Sequence, residues 1–566
     1  MSGPTVVIDR LSATLRHGPG EPPPPADRLR GPLRHAVAGP LETALNRLAL
    51  PPGRWCLARL DLTLDLDLAR PDPALAHDWS EAVAAAIERT VRAGRPAAPG
   101  GLVHYRHDVE LLADAVAGLA AGRRERLWAW RQTGVLRPGD PAPDASPGPA
   151  LLAALERHPR LAAAAVLRAA EHCGLAALER AWGCPGWQRL AALVTGEDRP
   201  APEECAGPPP GPATRALARD LLAGSRLAAL VRDSRLRPAE PTPAAWAVLV
   251  LAEADPAALH RIPARPGLRG LLADGLRALG GVPVRPGPGR AAQPRELPEP
   301  PDTARPAGPP AGPPPPADAP RADAARPGAP DPDAPCADAA GPGPAPHAPA
   351  AGDPAEPAVR APRHDGAQAG EQAREQAGEQ TREQTGEQAG ERPADAADGA
   401  DTGWAGLVFL LATAAVTGLP DRALDEPALA ARPLPWVLHT AARALAPGIA
   451  PGDPAALALA GLGPDRAAAL LRARPATPRE QDAVSALAAD WARATAARLG
   501  DERYAHDPSG AVLAVARRPG RITAETGWIE VRLAVADTDL AVRRAGLDLD
   551  PGWVGWLGAV VRYRYV

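Results

Sequence analysis

Alternation of apolar and polar residues marks two strands near the N-terminus. Residues 54–68, "RWCLARLDLTLDLDL", place a leucine at every second position from Leu60 to Leu68, and polar residues lie between them. This strict alternation predicts a strand with one buried face and one wet face. Residues 7–16 alternate in the same way and predict an earlier strand.

Helical spacing of apolar residues surrounds these strands. Leucine and valine recur three or four residues apart over residues 33–48, and a second helix is predicted over residues 79–92. The order β-α-β-α follows, and a right-handed parallel crossover is its expected connection. A further helix is predicted after Leu102 with Asp108 as its N-cap. We assign residues 1–140 to an N-terminal β-α-β-α domain.

An Ala/Leu-rich stretch, residues 150–284, repeats one theme of short helices separated by Pro and Gly. It predicts a region of helical hairpins, without a fixed period that would indicate a solenoid. The predicted helices cover residues 151–156, 160–172, 175–182, 187–194, 213–232 and 244–253.

Composition changes sharply in residues 285–402. The chain has 73 Pro and 55 Gly among 566 residues, and this stretch is rich in Pro, Gly, Glu and Gln with almost no large apolar side chain. Such a sequence cannot bury enough surface to offset the entropy of ordering, which predicts a disordered linker.

Residues 403–566 regain an apolar pattern and predict a C-terminal helical plus β domain. Helices are predicted over residues 404–419, around Trp436 and over residues 479–499, and strands at residues 528–535 and at the C-terminus. We expect truncation of the last strand to unseat a sheet edge. The predicted fold class is α+β, mostly α, ending in a small β-sheet.

Charge and hydropathy exclude two classes of partner. A net charge of −4 provides no basic field for nucleic acid. The longest apolar run, residues 404–419, is shorter than the roughly 20 residues that span a bilayer, and no signal peptide is visible at the N-terminus. We therefore predict a cytoplasmic protein with no membrane span and no nucleic-acid partner.

Three carboxylates on the wet face of the second strand are the most suggestive polar group. Asp61, Asp65 and Asp67 lie two or four residues apart, near the spacing of some paired catalytic carboxylates. The alternatives are a solvated or partner-facing sheet surface and a metal or catalytic site. No nucleophile or second set of ligands accompanies them, which favours the surface.

The remaining candidate residues predict no catalytic, cofactor or metal site. His172, Cys173 and Cys184 could form half a metal site, but small buried residues on a helical hairpin explain them better. Ser485 and Ser509 have no recognisable His/Asp support, and phosphate-loop, zincin and nucleophile-elbow motifs are absent from the sequence. We therefore predict a protein that is not an enzyme. The cysteines are Cys56, Cys173, Cys184, Cys205 and Cys336.

Several of these segments together resemble the tape measure proteins of contractile injection systems, the phage tail-like particles of bacteria. The family's N-terminal strand is similar to residues 57–67, and its "GLVLLWPYLP"-like segment is similar to residues 406–411. The terminal aromatic residues that match are Trp528, Trp553, Trp556, Tyr563 and Tyr565. The similarity covers the two ends of the chain and not its middle.

This resemblance implies a structural role in particle assembly. Such a protein would set tube and sheath length or link the baseplate to the tube, and its partners would be those components. The linker of about 115 residues could span on the order of 350 Å in a polyproline II conformation. The alternative is a stand-alone cytoplasmic scaffold or interaction protein whose two folded ends are joined by a flexible tether.

Overall fold

A computed structural model of the chain describes nine stretches of residues. They are residues 7–8, 10, 25, 28–93, 101–197, 209–234, 236–259, 267–280 and 399–566. Most of the predicted first strand, residues 7–16, and the predicted linker as far as residue 398 lie outside them. Three regions are named below: the N-terminal region (28–105), the helical region (108–280) and the C-terminal region (399–566).

The N-terminal region contains three helices and two short strands. The helix predicted over residues 33–48 is two helices, because Pro40 lacks an N–H group and its ring clashes with a continuing helix. Leu41 and Leu45 of the second helix pack against Val83 of the third. The elements are α1 (Arg30–Val37), α2 (Pro40–Asn46), β1 (Arg54–Leu57), α3 (Asp72–Ala93) and β2 (Leu102–Tyr105).

The two strands of this region form a pair that the sequence did not predict. β1 pairs antiparallel with β2. The expected parallel crossover starts from the strand predicted at residues 7–16, most of which lies outside the described residues. Within the described part of the chain, the strand predicted over residues 54–68 forms a ladder from Arg54 to Leu57 alone, because β2 starts at Leu102, opposite Leu57. After β2, the N-cap of the next helix is His107 rather than Asp108, with its Nδ1 accepting the N–H of Glu110.

The helical region confirms a mostly helical middle but not every predicted boundary. Residues 213–232 form two helices that break at Ser225. Residues 175–194 form one helix that kinks at Gly183, two residues before Pro185. The helices are α4 (Asp108–Ala120), α5 (Leu127–Gln132), α6 (Pro147–Glu156), α7 (Pro159–Cys173), α8 (Leu175–Thr195), α9 (Pro212–Gly224), α10 (Arg226–Ser234), α11 (Thr242–Ala254), α12 (Pro256–Leu259) and α13 (Leu268–Leu279).

One apolar core runs through this region and across the predicted domain boundary at residue 140. Trp130 and Leu151, on either side of that boundary, belong to the same cluster of buried side chains, which also includes Val103 of β2. The α4 helix packs closely on α7. Residues 102–136 therefore belong to the helical core rather than to a separate N-terminal domain.

The C-terminal region combines helices with a small β-sheet, as predicted, and the sheet has five strands. The first strand of this region pairs with its second, so the folded part starts before residue 403. The elements are β3 (Ala400–Thr402), a 3₁₀ turn (Ala405–Leu410), α14 (Leu411–Val416), α15 (Leu419–Asp425), α16 (Leu434–Leu445), α17 (Pro454–Leu459), α18 (Ala467–Leu471), α19 (Pro478–Leu499), α20 (Pro508–Ala516), β4 (Gly520–Glu525), β5 (Trp528–Leu533), α21 (Leu540–Arg544), β6 (Gly552–Val554) and β7 (Ala559–Tyr565).

The last strand lies inside the sheet rather than at its edge. The strand order is β3-β4-β5-β7-β6, with β7 parallel to β5 and antiparallel to β6. Tyr563 of β7 reaches the core, where its hydroxyl donates to the carbonyl of Val408 and its ring meets Phe409 edge-on. Truncation would therefore remove an interior strand and separate β6 from β5, which is a larger change than the expected loss of a sheet edge.

The apolar run over residues 404–419 is buried in this core. It forms the 3₁₀ turn followed by α14 rather than one continuous helix, and Leu407, Val408 and Phe409 are fully buried. Among the described residues, no single helix has the length and apolarity to cross a membrane. One pair meets both criteria together, Ala405–Val416 with Leu419–Asp425, and it bends by 70°.

The helical and C-terminal regions belong to one compact body. Ala257 of α12 is part of the C-terminal core, and the N–H of Leu434 donates to the Asp255 carboxylate at 3.2 Å. The β4–β5 turn closes on α7 at Gly527, whose φ is +80° and where an added Cβ would lie 2.5 Å from the Cβ of Ala164. Only glycine suits both the conformation and the space at this position.

Candidate functional site

Residues 58–67, here called the extended segment, continue from β1 without a partner strand among the described residues. Their leucines are half-buried, while Asp61, Asp65 and Asp67 are exposed. Leu60 and Leu62 pack on the small core formed by α2 and α3. The alternation predicted from the sequence is therefore present, with a wet acidic face, but it exists without a sheet.

The backbone of the extended segment is the unusual feature. The N–H of Ala58 donates to the carbonyl of Gly101 at 2.9 Å and ends the β1–β2 pairing. From residue 59 to residue 67, no backbone N–H bonds to another described residue. A row of backbone donors in extended conformation, without partners among the described residues, is a template for strand pairing with another chain.

Both ends of the extended segment are fixed. At its start, β1 is paired with β2 and Trp55 stacks on His104 with ring centroids 4.0 Å apart. After its end, the Arg28 guanidinium donates to the carbonyl of Leu68 at 2.7 Å and to Asp72 at 2.5 Å. The segment is thereby held extended before any partner arrives, which lowers the entropy cost of binding.

The wet face of the extended segment is acidic. Asp61 pairs with Arg59 at 2.8 Å, and both side chains are largely exposed. Asp65 and Asp67 form no ion pair within the described part of the chain, although Asp67 accepts the N–H of Ala69. A strand laid beside this face would gain from arginine or lysine opposite the aspartates.

The other candidate residues do not assemble into a chemical site. The described residues contain no group of three or more His, Cys, Asp or Glu side chains that could hold a metal. The thiols of Cys173 and Cys184 instead donate to the backbone carbonyls of Gly174 and Glu240. Cys205 and Cys336 lie outside the described residues.

The two serines singled out in the sequence are exposed on helices. Ser485 lies on α19 and Ser509 on α20, and neither side chain hydrogen-bonds to a described histidine or carboxylate. The buried thiol of Cys56 is also unsuited to nucleophilic chemistry, because desolvation raises its pKa to about 11 and the charge of Arg54 offsets this only in part.

A second polar group, the Glu525 junction, could not be identified from the sequence. Glu525, at the end of β4, meets Arg106 at 2.8 Å and also pairs with Arg168 of α7. The Nε2 of His107 lies 3.4 Å from the same carboxylate, and its ring stacks on Trp528. The partners are separated by hundreds of residues, so no local pattern connects them.

The charges at the Glu525 junction are strongly coupled. Burial by itself raises the pKa of Glu525. The nearby His107 ring and the charges of Arg168 and Arg106 outweigh burial and hold that pKa at about 2. Glu110 also faces the arginines, with its carboxylate 3.7 Å from Arg168. The junction thus contains two carboxylates against two arginines, closed between two regions of the fold.

We expect Glu525→Gln to destabilise the folded body by about 2–3 kcal/mol, because it leaves two half-buried arginines undercompensated. A carboxylate whose pKa is depressed contributes stability above its unfolded pKa and loses it as pH falls. The difference between wild type and variant in free energy of unfolding should therefore shrink from about pH 5 to about pH 2. Urea denaturation across this range measures it.

The exposed pair Arg47–Glu81 provides the control. Glu81→Gln should change stability by less than about 1 kcal/mol, because both side chains of that pair are well exposed. A Glu525→Gln variant as stable as Glu81→Gln, or a difference from wild type that does not change with pH, would contradict the importance of the junction.

No family model, curated protein or solved structure matches this chain. Conclusions about function therefore rest on the extended segment, on the Glu525 junction and on the motifs of the sequence.

Proposed function

We propose that this protein is a non-enzymatic assembly component of a contractile injection particle and that it links particle components by accepting a strand from a partner. One observation carries the proposal: the residues most similar to the tape measure family, 57–67, include the segment whose backbone donors have no partner among the described residues. The protein would act in the cytoplasm while the particle assembles.

Strand addition explains the chemistry of the extended segment. A partner strand would lie about 4.8 Å away and pair with the backbone of residues 59–67. Arginine or lysine on one face of that strand would meet Asp61, Asp65 and Asp67, each pair contributing roughly 0.2–1 kcal/mol. Apolar residues on the other face would cover the half-exposed leucines. The expected occupant is thus a basic, amphipathic extended segment of a tube or baseplate protein.

The arrangement of the folded regions favours linking over measuring. Gly280 and Gly399 belong to the same body, so the chain between them is attached to that body at both ends. A segment of about 118 residues anchored at both ends reaches at most half its contour length, about 200 Å. It cannot hold two separate folded ends apart, which was the basis of the ruler idea.

The polar groups of the described residues support a role without catalysis. Carboxylates at the Glu525 junction neutralise arginines. Ser485 and Ser509 are exposed and form no hydrogen bond to a described histidine or carboxylate, and the aspartates of the extended segment face solvent. The acidic wet face also disfavours a nucleic-acid partner, because phosphates would be repelled.

Charge reversal of the extended segment tests the linking role. We expect Asp65→Arg/Asp67→Arg to abolish co-purification with assembled particles while leaving thermal stability unchanged, because both side chains are exposed. Asp482→Arg, on the exposed face of α19, is the matched control and should co-purify as wild type does. Equal recovery of all three proteins would contradict the proposal.

Proline substitution separates backbone pairing from charge. Successive N–H groups along a strand point to opposite edges, so Thr63→Pro and Leu64→Pro each remove a donor from a different edge. One of the two should abolish co-purification and the other should not. If the wild-type protein binds an isolated partner but is not found in particles, this result would instead favour the stand-alone scaffold.

Shortening the Pro-rich segment tests the length-setting role. If the protein links components, deletion of residues 300–380 should leave the length distribution of particles unchanged in electron micrographs, because both ends stay on one body. Particles that shorten in proportion to the deletion would contradict this and support a ruler.

A further inference from the structure

A cavity of about 290 Å³ lies where the helical region meets the C-terminal sheet. The helical side is formed by α7, the end of α8 and α11. The other side is formed by the segment before α18 and by the two hairpin turns of the sheet. No residue of the extended segment lines this cavity, so strand addition there does not involve it.

Glycine turns allow the sheet to close over this cavity. Gly558, in the β6–β7 turn, has φ +63°, and an added Cβ there would lie 2.7 Å from Cγ of Pro256. Gly527 approaches α7 in the same way in the β4–β5 turn. The wall is therefore built by close backbone approach and not by large side chains that would fill the space.

Arg466 is the polar group that gives the cavity its chemistry. Its Nε is buried and has no hydrogen-bond partner, and its guanidinium forms no ion pair with a described residue. Burial lowers the pKa of Arg466, and the carboxylate of Glu253 counteracts this only in part while Arg226 adds to it. The side chain as a whole is half-buried. A cation partly removed from water, without an ion pair to a described residue, is costly unless a ligand compensates it.

The one acid lining the cavity is already engaged. Glu253 accepts a hydrogen bond from the hydroxyl of Ser225 at 2.6 Å and from the N–H of Arg226 at 2.8 Å. A second arginine, Arg160, lines the cavity and forms no ion pair within the described part of the chain. The cavity therefore has two cationic side chains and one carboxylate whose hydrogen bonds are directed to a helix N-terminus.

Apolar side chains line the remaining wall. Leu167 and Leu193 contribute from the helices, and Leu557 and the ring of Trp553 contribute from the sheet. A ligand that fits has an anionic end for arginine and a short apolar body, with a volume at the small end of ligand pockets.

We propose that this cavity binds a small carboxylate with a short apolar stem, its carboxylate paired with Arg466 and its stem against the leucines. The same chemistry is present in a free aliphatic acid and in the C-terminus of a peptide that ends in an apolar residue. Because the ligand touches both regions, its binding stabilises the body in which they are joined.

Thermal unfolding of the full chain with hexanoate tests the proposal. Hexanoate should raise Tm in a saturable manner, and hexanamide, which has the same shape without the charge, should not. Arg466→Leu should weaken the apparent affinity for hexanoate at least about tenfold. Its Tm without ligand should not fall, because the change removes a half-buried cation that has no ion pair with a described residue. Arg472→Leu, at an exposed position nearby, should behave as wild type.

Three results would overturn the proposal: no shift with hexanoate, an equal shift with hexanamide, or full hexanoate binding by Arg466→Leu. If Arg466→Leu does not fold, the comparison of hexanoate with hexanamide on the wild-type protein still tests whether binding requires the carboxylate. Acetyl-Ala-Leu with a free C-terminus identifies the source of the ligand carboxylate, and its C-terminal amide is the control. If the peptide binds more tightly than hexanoate, the ligand is a peptide C-terminus. If it binds more weakly, the ligand is a free acid.

Discussion

A single carboxylate, Glu525, connects the two largest parts of the fold. It pairs with Arg106, just before α4, and with Arg168 of α7. Arg106 and Arg168 would repel each other across a half-buried gap if the sheet did not bring this charge to them. Three features lie at or near this joint. The β4–β5 turn rests on α7, a cavity is lined from both sides of the joint, and Gly280 and Gly399 belong to one body.

Local patterns predicted the parts of the fold that local forces determine. The helix over residues 479–499 is observed as Pro478–Leu499, where Thr477 and Glu480 form a capping box. The alternation of residues 528–533 is a strand, as expected. Pro40 splits a helix whose apolar spacing looked continuous, because spacing alone does not include the missing N–H group.

Contacts between distant residues could not be predicted in this way. The alternation of residues 58–67 is equally regular, yet it forms no ladder with any residue that the structure describes, because strand formation needs a partner that the pattern does not specify. The placement of β7 between β5 and β6 depends on a parallel pairing across the sheet. Glu525 and Arg466 gain their significance from residues hundreds of positions away, so neither stood out in the sequence.

The extended segment explains how one surface can be both exposed and selective. Proteins normally hide or blunt unpaired strand edges, and charged residues are one such protection. Pairing with a second copy in register would set aspartate against aspartate, which disfavours self-association and leaves a basic strand as the complementary partner. Amide hydrogen exchange tests this account most directly. The amides of residues 59–67 should exchange rapidly in the isolated protein and become protected when it is bound to particle components; protection in the isolated protein, or none in the complex, would contradict it.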